Sequence, residues 1–279
     1  MRFLALWPLP ILRALGWLLG HVLFALAHSR RHIVRVNLGV CFPQLSPWQR
    51  GHMARRHFVV LTQSLLDRAW LWHGSADVLR RRLSVKGDLS PLQGTQSVVM
   101  LAPHFVGMDA GGTVLTMLQG VAMASIYTRQ RHPALDEWVR QGRNRSGRIK
   151  LFFRQQGVKQ IVSGLREGDK LYLLPDMDFG REDSVFVPFY GVQAATVPSL
   201  SRFARLGRAQ VLTAATRLTS QGYCLEVGPV WPDFPTPDSQ ADTAQMNRAL
   251  QAVIDTMPEQ YYWVHKRFKT RPEGEPGFY

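Results

Sequence analysis

Short apolar runs recur along the middle of this chain, and polar, helix-like segments separate them. The runs cover residues 97–102, 123–127 and 170–174, and the first and third stop at Pro103 and Pro175. An apolar run of this length that ends at a proline is typical of a buried strand followed by a loop. Buried strands that alternate with helices favour an α/β fold with a mostly parallel central sheet flanked by helices.

Helix signals fill the intervals between these runs. Ser46, Pro47 and Gln49 have the form of a capping box with proline at the first helical position, which predicts a helix from there to Gly74. Apolar spacing predicts further helices at residues 133–142, 158–165 and 243–257, and further strands near 83–85, 211–215 and 223–227.

A histidine and an aspartate, His104 and Asp109, follow the first apolar run. Five residues turn an unbroken helix by roughly 140°, so we expect His104 to precede a helix and Asp109 to lie inside it. A carboxylate bonded to one imidazole nitrogen fixes the tautomer, and the other nitrogen can then deprotonate a hydroxyl. The alternative interpretation is structural: a histidine bonded to a backbone carbonyl and an aspartate favoured by the helix dipole.

A second pair of carboxylates follows the third apolar run. The sequence PDMDFG places Asp176 and Asp178 in a loop at a strand end, where α/β proteins gather their site residues. Both are candidate substrate-binding residues. Aspartate is also common in loops because its side chain hydrogen-bonds the nearby backbone. A structural role in the turn therefore explains Asp176 and Asp178 as well as substrate binding does.

Basic residues are concentrated in the N-terminal third. The chain carries 34 Lys and Arg against 20 Asp and Glu, but residues 1–86 hold 13 of the basic residues and only Asp67 and Asp77 of the acidic ones. Such a surplus indicates nucleic acid, an anionic membrane or an acidic protein partner. No nucleic-acid partner is predicted, because no recognisable binding module interleaves basic and aromatic residues.

The first segment of the chain favours a membrane. Phe3 to Ala27 is apolar except for Arg13 and His21, and arginines follow it directly. We therefore divide the chain into a membrane anchor, residues 1–29, and a domain with the His104 and Asp109 pair, residues 30–279. The anchor either crosses the bilayer once, with the arginines on the cytoplasmic side, or lies in the interface. A buried helix of the globular domain is the remaining interpretation.

No metal, cofactor or disulfide is predicted. The nine histidines do not cluster at metal-ligand spacing. The motifs of serine hydrolases, nucleotide-binding loops and zinc proteases are absent from the sequence. Cys41 and Cys224 stand far apart, which favours reduced thiols in a cytoplasmic setting.

Several long motifs together resemble one enzyme family. They are RRHIVRVNLGVCFP at residues 30–43, the H-x4-D pair, PDMDFG followed by SVFVPFYG at 184–191, and YYWVHKRFKTRPEGEP at 261–276. The pattern is similar to the late acyltransferases of lipid A biosynthesis, the lauroyl and myristoyl transferases of the bacterial inner membrane, within the lysophospholipid acyltransferase superfamily.

The resemblance implies transfer of an acyl chain from acyl carrier protein to a hydroxyl of a lipid A precursor, with the catalytic domain on the cytoplasmic side of the inner membrane. It gives the role of base to His104, with Asp109 as its partner. Many relatives carry YRP where this chain has Tyr-Thr-Arg, so several arginines are candidates for contact with a substrate phosphate or an oxyanion: Arg129, Arg131, Arg143 and Arg145.

Two other functions stay open on sequence alone. An acyltransferase that acts on a glycerophospholipid or an aminolipid would carry the same histidine and aspartate. A non-enzymatic adaptor that binds a membrane or nucleic acid would carry them without using them. For the acidic carrier protein, Arg80, Arg81 and Arg82 are candidates for part of the docking surface.

Overall fold

The computed structural model describes residues 1–153 and 157–279. Its strands are β1 (Leu83–Lys86), β2 (Val98–Leu101), β3 (Met123–Tyr127), β4 (Ile149–Phe153), β5 (Lys170–Leu173), β6 (Val185–Phe189), β7 (Val192–Thr196), β8 (Gln210–Thr219) and β9 (Gly222–Val230). Its helices are α1 (Leu9–Leu26), α2 (His28–Cys41), α3 (Pro47–His73), α4 (Ala76–Arg82), α5 (Ser90–Gln93), α6 (Met108–Thr113), α7 (Pro133–Arg143), α8 (Val158–Arg166), α9 (Ser199–Gly207) and α10 (Ser239–Thr256).

Seven strands form one sheet in the order β1-β9-β8-β2-β5-β3-β4. Strands β8, β2, β5, β3 and β4 run parallel to one another. Strand β9 returns antiparallel to β8, and β1 then pairs parallel with β9. The expected α/β fold with a mostly parallel central sheet is therefore confirmed.

Both faces of this sheet are covered, as the unbroken apolar sequence of its central strands requires. In β2, Val98 and Met100 belong to a core with side chains of α3 and α6. Val99 and Leu101 point to the opposite face, where α8 and α9 cover them. All four side chains are buried, because successive residues of a strand face opposite sides of its sheet.

A third core joins the two ends of the chain. Strands β6 and β7 form a separate antiparallel hairpin, and side chains of this hairpin pack with α2, α3 and the segment after α10. The central members of this core are all large and fully buried: Leu38, Phe58, Phe189, Trp263 and Phe268. The C-terminal segment is thereby fixed against the body of the protein although it contains little regular structure.

The capping box predicted for α3 is present. The Ser46 hydroxyl accepts a hydrogen bond from the Gln49 backbone N–H at 3.2 Å, and the Gln49 side chain accepts from the Ser46 N–H at 2.8 Å. This reciprocal pair satisfies two backbone groups that the first turn leaves free.

Helix α1 packs lengthwise against α3. Among the described residues, it is the one helix long and apolar enough to cross a membrane, with a mean hydropathy of 1.7. The boundary expected at residues 29 and 30 falls inside α2, and the division into an anchor and a catalytic domain stays a prediction.

Candidate active site

The neighbouring strands β2 and β5 bring a histidine and an aspartate together. In their parallel register Leu101 pairs with Leu173. His104 lies three residues after Leu101, and Asp176 lies three residues after Leu173. Because the two strands end level with each other, both side chains emerge at the same edge of the sheet, where open α/β sheets bind their ligands.

Asp176 holds His104 through two hydrogen bonds. The Nδ1 atom of the ring lies 2.7 Å from Oδ1 of Asp176, and the backbone N–H of His104 donates to Oδ2 at 3.0 Å. The histidine side chain keeps 19% of its surface exposed, whereas the Asp176 side chain is fully enclosed. The imidazole thus faces outward from a carboxylate that water does not reach.

The surroundings of Asp176 stabilise the ionised form of its carboxyl group. Burial acts to raise the pKa of its carboxyl group, but the attraction of His104 and the hydrogen bonds from its ring and backbone outweigh burial and lower the pKa to about 2. An ionised Asp176 accepts the proton on Nδ1, which leaves the lone pair of the neutral ring on Nε2. The geometry therefore suits Nε2 to take a proton from a hydroxyl.

Asp109, which the sequence analysis paired with His104, is bound elsewhere. Its Oδ2 atom accepts from Nε of Arg68 at 2.9 Å, and its Oδ1 atom accepts from Nε of Arg143 at 2.8 Å. The partner expected for the histidine is thus wrong, and Asp176 takes that place. The reason is that Asp109 lies in the first turn of α6 and is turned towards α3 and α7.

Close packing fixes the position of α6. A Cβ atom at Gly107 would lie 2.8 Å from the carbonyl oxygen of Thr216, and one at Gly111 would lie 2.2 Å from the Thr216 hydroxyl. Glycine at these two positions therefore lets the helix after His104 lie directly on β8. This contact directs Asp109 away from the sheet and towards its two arginines.

Two cations and one buried carboxylate make up the cluster around Asp109. Burial acts to raise the pKa of Asp109, but attraction to Arg143 and Arg68 and their hydrogen bonds lower it. The arginine side chains retain about a fifth of their surface exposed, 19% for Arg68 and 22% for Arg143. The cluster thus holds two guanidinium groups in fixed positions at the protein surface.

The other predicted arginines lie in different surroundings. Arg129 is exposed and lies over the ring of Phe153, with its guanidinium carbon 4.4 Å from the ring centroid. Arg145 donates to the backbone carbonyls of Leu71, at 3.0 Å, and of Gly74. Arg145 therefore caps the C-terminal end of α3, and its predicted contact with substrate stays a prediction.

Asp178 connects the loop after β5 to the C-terminal segment. Its carboxylate accepts from the backbone N–H and the hydroxyl of Thr270, at 2.7 and 2.8 Å, and from Gly180 N–H at 3.0 Å. Its own N–H donates to Nε2 of His265 at 2.9 Å. The carboxylates of Asp176 and Asp178 are both engaged by the protein itself, and direct substrate contact by either one stays a prediction.

The C-terminal segment also contacts the catalytic histidine candidate through the backbone. The N–H of Tyr262 donates to the carbonyl of His104 at 2.9 Å, and the N–H of Val106 donates to the carbonyl of Gln260 at 2.9 Å. Burial, together with repulsion from Arg267, lowers the pKa of His265 to about 4. A neutral His265 can accept the hydrogen bond from Asp178, so the segment holds both strand-end loops in place.

Sequence reasoning missed Arg68, His265 and Thr270 as parts of this assembly. Arg68 lies on a long amphipathic helix, where an arginine looks like an ordinary surface residue. His265 and Thr270 lie in the motif YYWVHKRFKTRPEGEP, which contributed to the family resemblance without a role for its single residues. Within residues 1–153 and 157–279, no group of three His, Cys, Asp or Glu side chains is arranged to hold a metal ion.

Comparison with known proteins identifies the family. The model of the family described as bacterial lipid A biosynthesis acyltransferase matches residues 1–270. The chain belongs to this family. A lipid A biosynthesis palmitoleoyltransferase of Escherichia coli (strain K12) is 35% identical over 282 residues, which cover 98% of this chain and 89% of that protein.

Two further relatives from the same organism carry other acyl groups in their names. The lipid A biosynthesis lauroyltransferase is 30% identical, with 98% of this chain and 90% of that protein covered. The lipid A biosynthesis myristoyltransferase is 30% identical, with 95% of this chain and 82% of that protein covered.

A solved structure of a 1-acyl-sn-glycerophosphate acyltransferase from Thermotoga maritima aligns with 88% of this chain and 97% of its own chain, with 12% identity and a TM-score of 0.41.

Family membership supports acyl transfer in the late acylation of lipid A, with a lipid A precursor as the acceptor. The relatives differ in the acyl group that each is named for, so the family shares a reaction rather than a chain length. The apolar helix α1 is in keeping with association with a membrane.

Proposed function

We propose that this protein transfers a fatty acyl chain from acyl carrier protein to a hydroxyl group of a lipid A precursor, with His104 as the general base and Asp176 as the residue that positions it. The observation that carries the proposal is the 2.7 Å hydrogen bond between Nδ1 of His104 and the buried carboxylate of Asp176. It leaves Nε2 as the basic atom on the exposed side of the ring.

In the proposed reaction, Nε2 of His104 removes the proton of the acceptor hydroxyl as its oxygen attacks the thioester carbonyl carbon. A tetrahedral intermediate forms, and its negative charge resides on the former carbonyl oxygen. When this intermediate collapses, the carbon–sulfur bond breaks and the protonated ring returns its proton to the departing thiolate. Asp176 stabilises the imidazolium while that proton is on the ring.

For Asp109 we propose an indirect role in catalysis. Its carboxylate holds Arg68 and Arg143, each of which keeps part of its surface exposed. A fixed guanidinium suits bidentate binding of an anionic oxygen group better than a mobile one. We assign Arg143 to an anionic group of the acceptor or to the oxyanion, with Arg68 beside it and the exposed Arg129 as a further contact.

The carrier protein as donor is supported by the placement of Arg80 and Arg81. Strand β1 runs parallel to β9, and β9 runs antiparallel to β8, so β1 begins at the edge where β2 and β5 end. The last turn of α4, directly before β1, therefore brings these exposed arginines to the active-site edge. Arg82 differs, because its guanidinium turns inward to the carbonyl of Trp7 at 3.2 Å.

We place the protein at the bacterial inner membrane, with the catalytic domain on the cytoplasmic side. Arg30, Arg31 and Arg35 directly follow α1, and basic segments beside a membrane are attracted to the anionic lipids of the cytoplasmic leaflet. Membrane lipids are then partners of the protein in addition to its acceptor.

A mass spectrum of lipid A tests the proposal. In cells that lack the protein, the wild-type chain should add one acyl chain to lipid A, and the His104→Ala variant should add none. The purified protein should use acyl carrier protein as the donor in the same acceptor assay. Acylation of a glycerophospholipid or an aminolipid, with lipid A unchanged, would show that the acceptor is a different one.

A further inference from the structure

The outward side of α1 is a continuous apolar surface. Its exposed side chains include Trp17, Leu18, Val22 and Leu26, and the exposed Phe3 and Leu6 precede the helix. We call this set, together with Ile11 and Leu19, the outer face. Large contiguous apolar surfaces are uncommon on soluble monomers and mark sites of contact with a partner or a membrane.

The inward side of the same helix is fitted closely to α3. A Cβ atom at Gly16 would lie 2.6 Å from the side chain of Gln63, and one at Gly20 would lie 2.6 Å from Cα of Val59. Together with the buried Leu12, these glycines recur every four residues and form one stripe along the helix. The two backbones therefore approach each other closely around Gly16 and Gly20.

An ion pair inside this contact fixes the helix further. Arg13 of α1 lies 2.7 Å from Oδ2 of Asp67 on α3, and the Asp67 side chain is only 2% exposed. The indole N–H of Trp70 and the hydroxyl of Tyr223 donate to the same carboxylate, at 2.8 and 2.7 Å. Moving α1 away from α3 would break this ion pair between Arg13 and the buried Asp67, and breaking a buried ion pair is strongly unfavourable.

This docking is incompatible with a helix that crosses the bilayer. If α1 spanned the membrane in its present position, α3 would enter the hydrocarbon with it and bring along Arg55, Arg56, Asp67 and Arg68. Ionised side chains at that depth are costly unless protein or water surrounds them. A spanning α1 would therefore have to leave α3 and expose Gly16, Gly20 and Arg13.

The charge around the outer face fits a negatively charged surface. Residues 1–66 contain eight arginines and no aspartate or glutamate. Arg31, Arg35 and Arg55 gather around the ring of Phe24 near the end of α1, at 5.4, 5.9 and 5.5 Å from its centroid. An apolar helix face bordered by arginines and carrying an exposed tryptophan is typical of a helix that lies in a membrane interface.

We infer that α1 is an interfacial anchor. Its outer face inserts into the headgroup and upper acyl region of an anionic bilayer, while its inner face stays docked on α3. Both ends of α1 then lie on the same side of the membrane as the active site. This mode of membrane attachment does not depend on whether acyl carrier protein is the donor.

Cysteine labelling measures the side of the membrane on which each end lies. In a chain whose buried Cys41 and Cys224 are replaced by alanine, single cysteines are introduced as Arg2→Cys, His28→Cys and, in the catalytic domain, Glu273→Cys. In sealed proteoliposomes, an impermeant maleimide should label all three to the same fraction. Protection of Arg2→Cys from the side on which Glu273→Cys reacts would overturn the inference.

Vesicle flotation tests the outer face itself. Leu18→Glu places a charge in the outer face at a position without close packing, and the matched control Leu206→Glu does so at an exposed position of α9. Because the variant loses the burial of one leucine side chain in the bilayer, Leu18→Glu should weaken binding to vesicles with phosphatidylglycerol at least about tenfold. Leu206→Glu should bind as the wild type does.

Both variants should acylate a detergent-dispersed acceptor at the wild-type rate, which shows that they are folded. Replacing Arg31, Arg35 and Arg55 by glutamine should reduce binding to phosphatidylglycerol vesicles and abolish its salt dependence. Wild-type flotation of Leu18→Glu would refute insertion of the outer face. Equal binding of the wild type to anionic and to purely zwitterionic vesicles would refute the role of the arginines.

Discussion

Replacing Asp176 by asparagine tests the active-site geometry directly. The substitution keeps the shape of the side chain and removes its charge. In the fold, the pKa of Asp176 falls from 3.8 to about 2 even though burial opposes the fall. At about 1.36 kcal/mol per pKa unit, this corresponds to roughly 2 kcal/mol of net stabilisation of the carboxylate. We take this value as the order of magnitude of what the carboxylate contributes to holding the protonated ring of His104.

The ring of His104 carries a proton when the acceptor oxygen attacks, so the lost attraction raises the barrier. A barrier higher by roughly 2 kcal/mol slows the reaction about 30-fold. An asparagine can also turn its amide N–H₂ towards Nδ1, which would place the ring proton on Nε2 and abolish its basicity. We therefore expect kcat to fall by about 10²–10⁴-fold, with KM little changed because Asp176 is enclosed.

The assay is steady-state acyl transfer by purified protein, with kcat and KM measured separately. Asp178→Asn is the matched control, because this carboxylate lies on the same loop and binds Thr270 instead of the histidine. It should lower the thermal stability but leave kcat of the folded protein within a few-fold. If Asp176→Asn folded normally and kept kcat within about threefold of the wild type, the proposed pairing would be refuted.

Four further outcomes follow from the structure. His104→Ala should reduce kcat by about 10²–10⁴-fold, and its combination with Asp176→Asn should be little slower than either change alone, since the two act as a unit. The pKa of Asp176 in the folded protein lies below its value in the unfolded chain. The carboxylate therefore stabilises the fold above about pH 4, and this stabilisation is lost as the pH falls towards about 2. When acid unfolding is followed by circular dichroism, the stability of Asp176→Asn should depend less steeply on pH than that of the wild type. Asp109→Asn should lower the free energy of unfolding by about 3–5 kcal/mol, because two guanidinium groups lose their shared carboxylate, and it should raise KM for the acceptor. Replacing Arg80 and Arg81 by glutamine should reduce the salt dependence of kcat/KM with acyl carrier protein as the donor, but not with the matching coenzyme A thioester. If kcat/KM of the wild type fell equally with salt for both donors, electrostatic steering of the carrier would be contradicted.

The local sequence was enough to predict most elements of the sheet and its helices. Strand β3 has the predicted bounds, and α3 begins at the predicted capping box. These elements could be found because their signals are local: an apolar run, a proline, a side chain that caps a backbone group. Strand β4 and the hairpin β6–β7 were not predicted, since β4 is only half-buried and the hairpin packs on segments distant in sequence.

The sequence by itself determined that His104 follows a buried strand, at the position where α/β proteins place their site residues. It did not determine the partner of that histidine, because Asp109 is five residues away and Asp176 is 72 residues away along the chain. Pairing of β2 with β5 decides between them, since adjacent parallel strands place residues equally far past their ends side by side. The same holds for α1: its composition allows a membrane span or an interfacial helix, and the interfacial anchor that we infer rests on tertiary contacts with α3, among them the buried pair of Arg13 with Asp67. Local patterns fix which residues are apolar, strand-forming or titratable, whereas contacts between distant segments fix which of them meet.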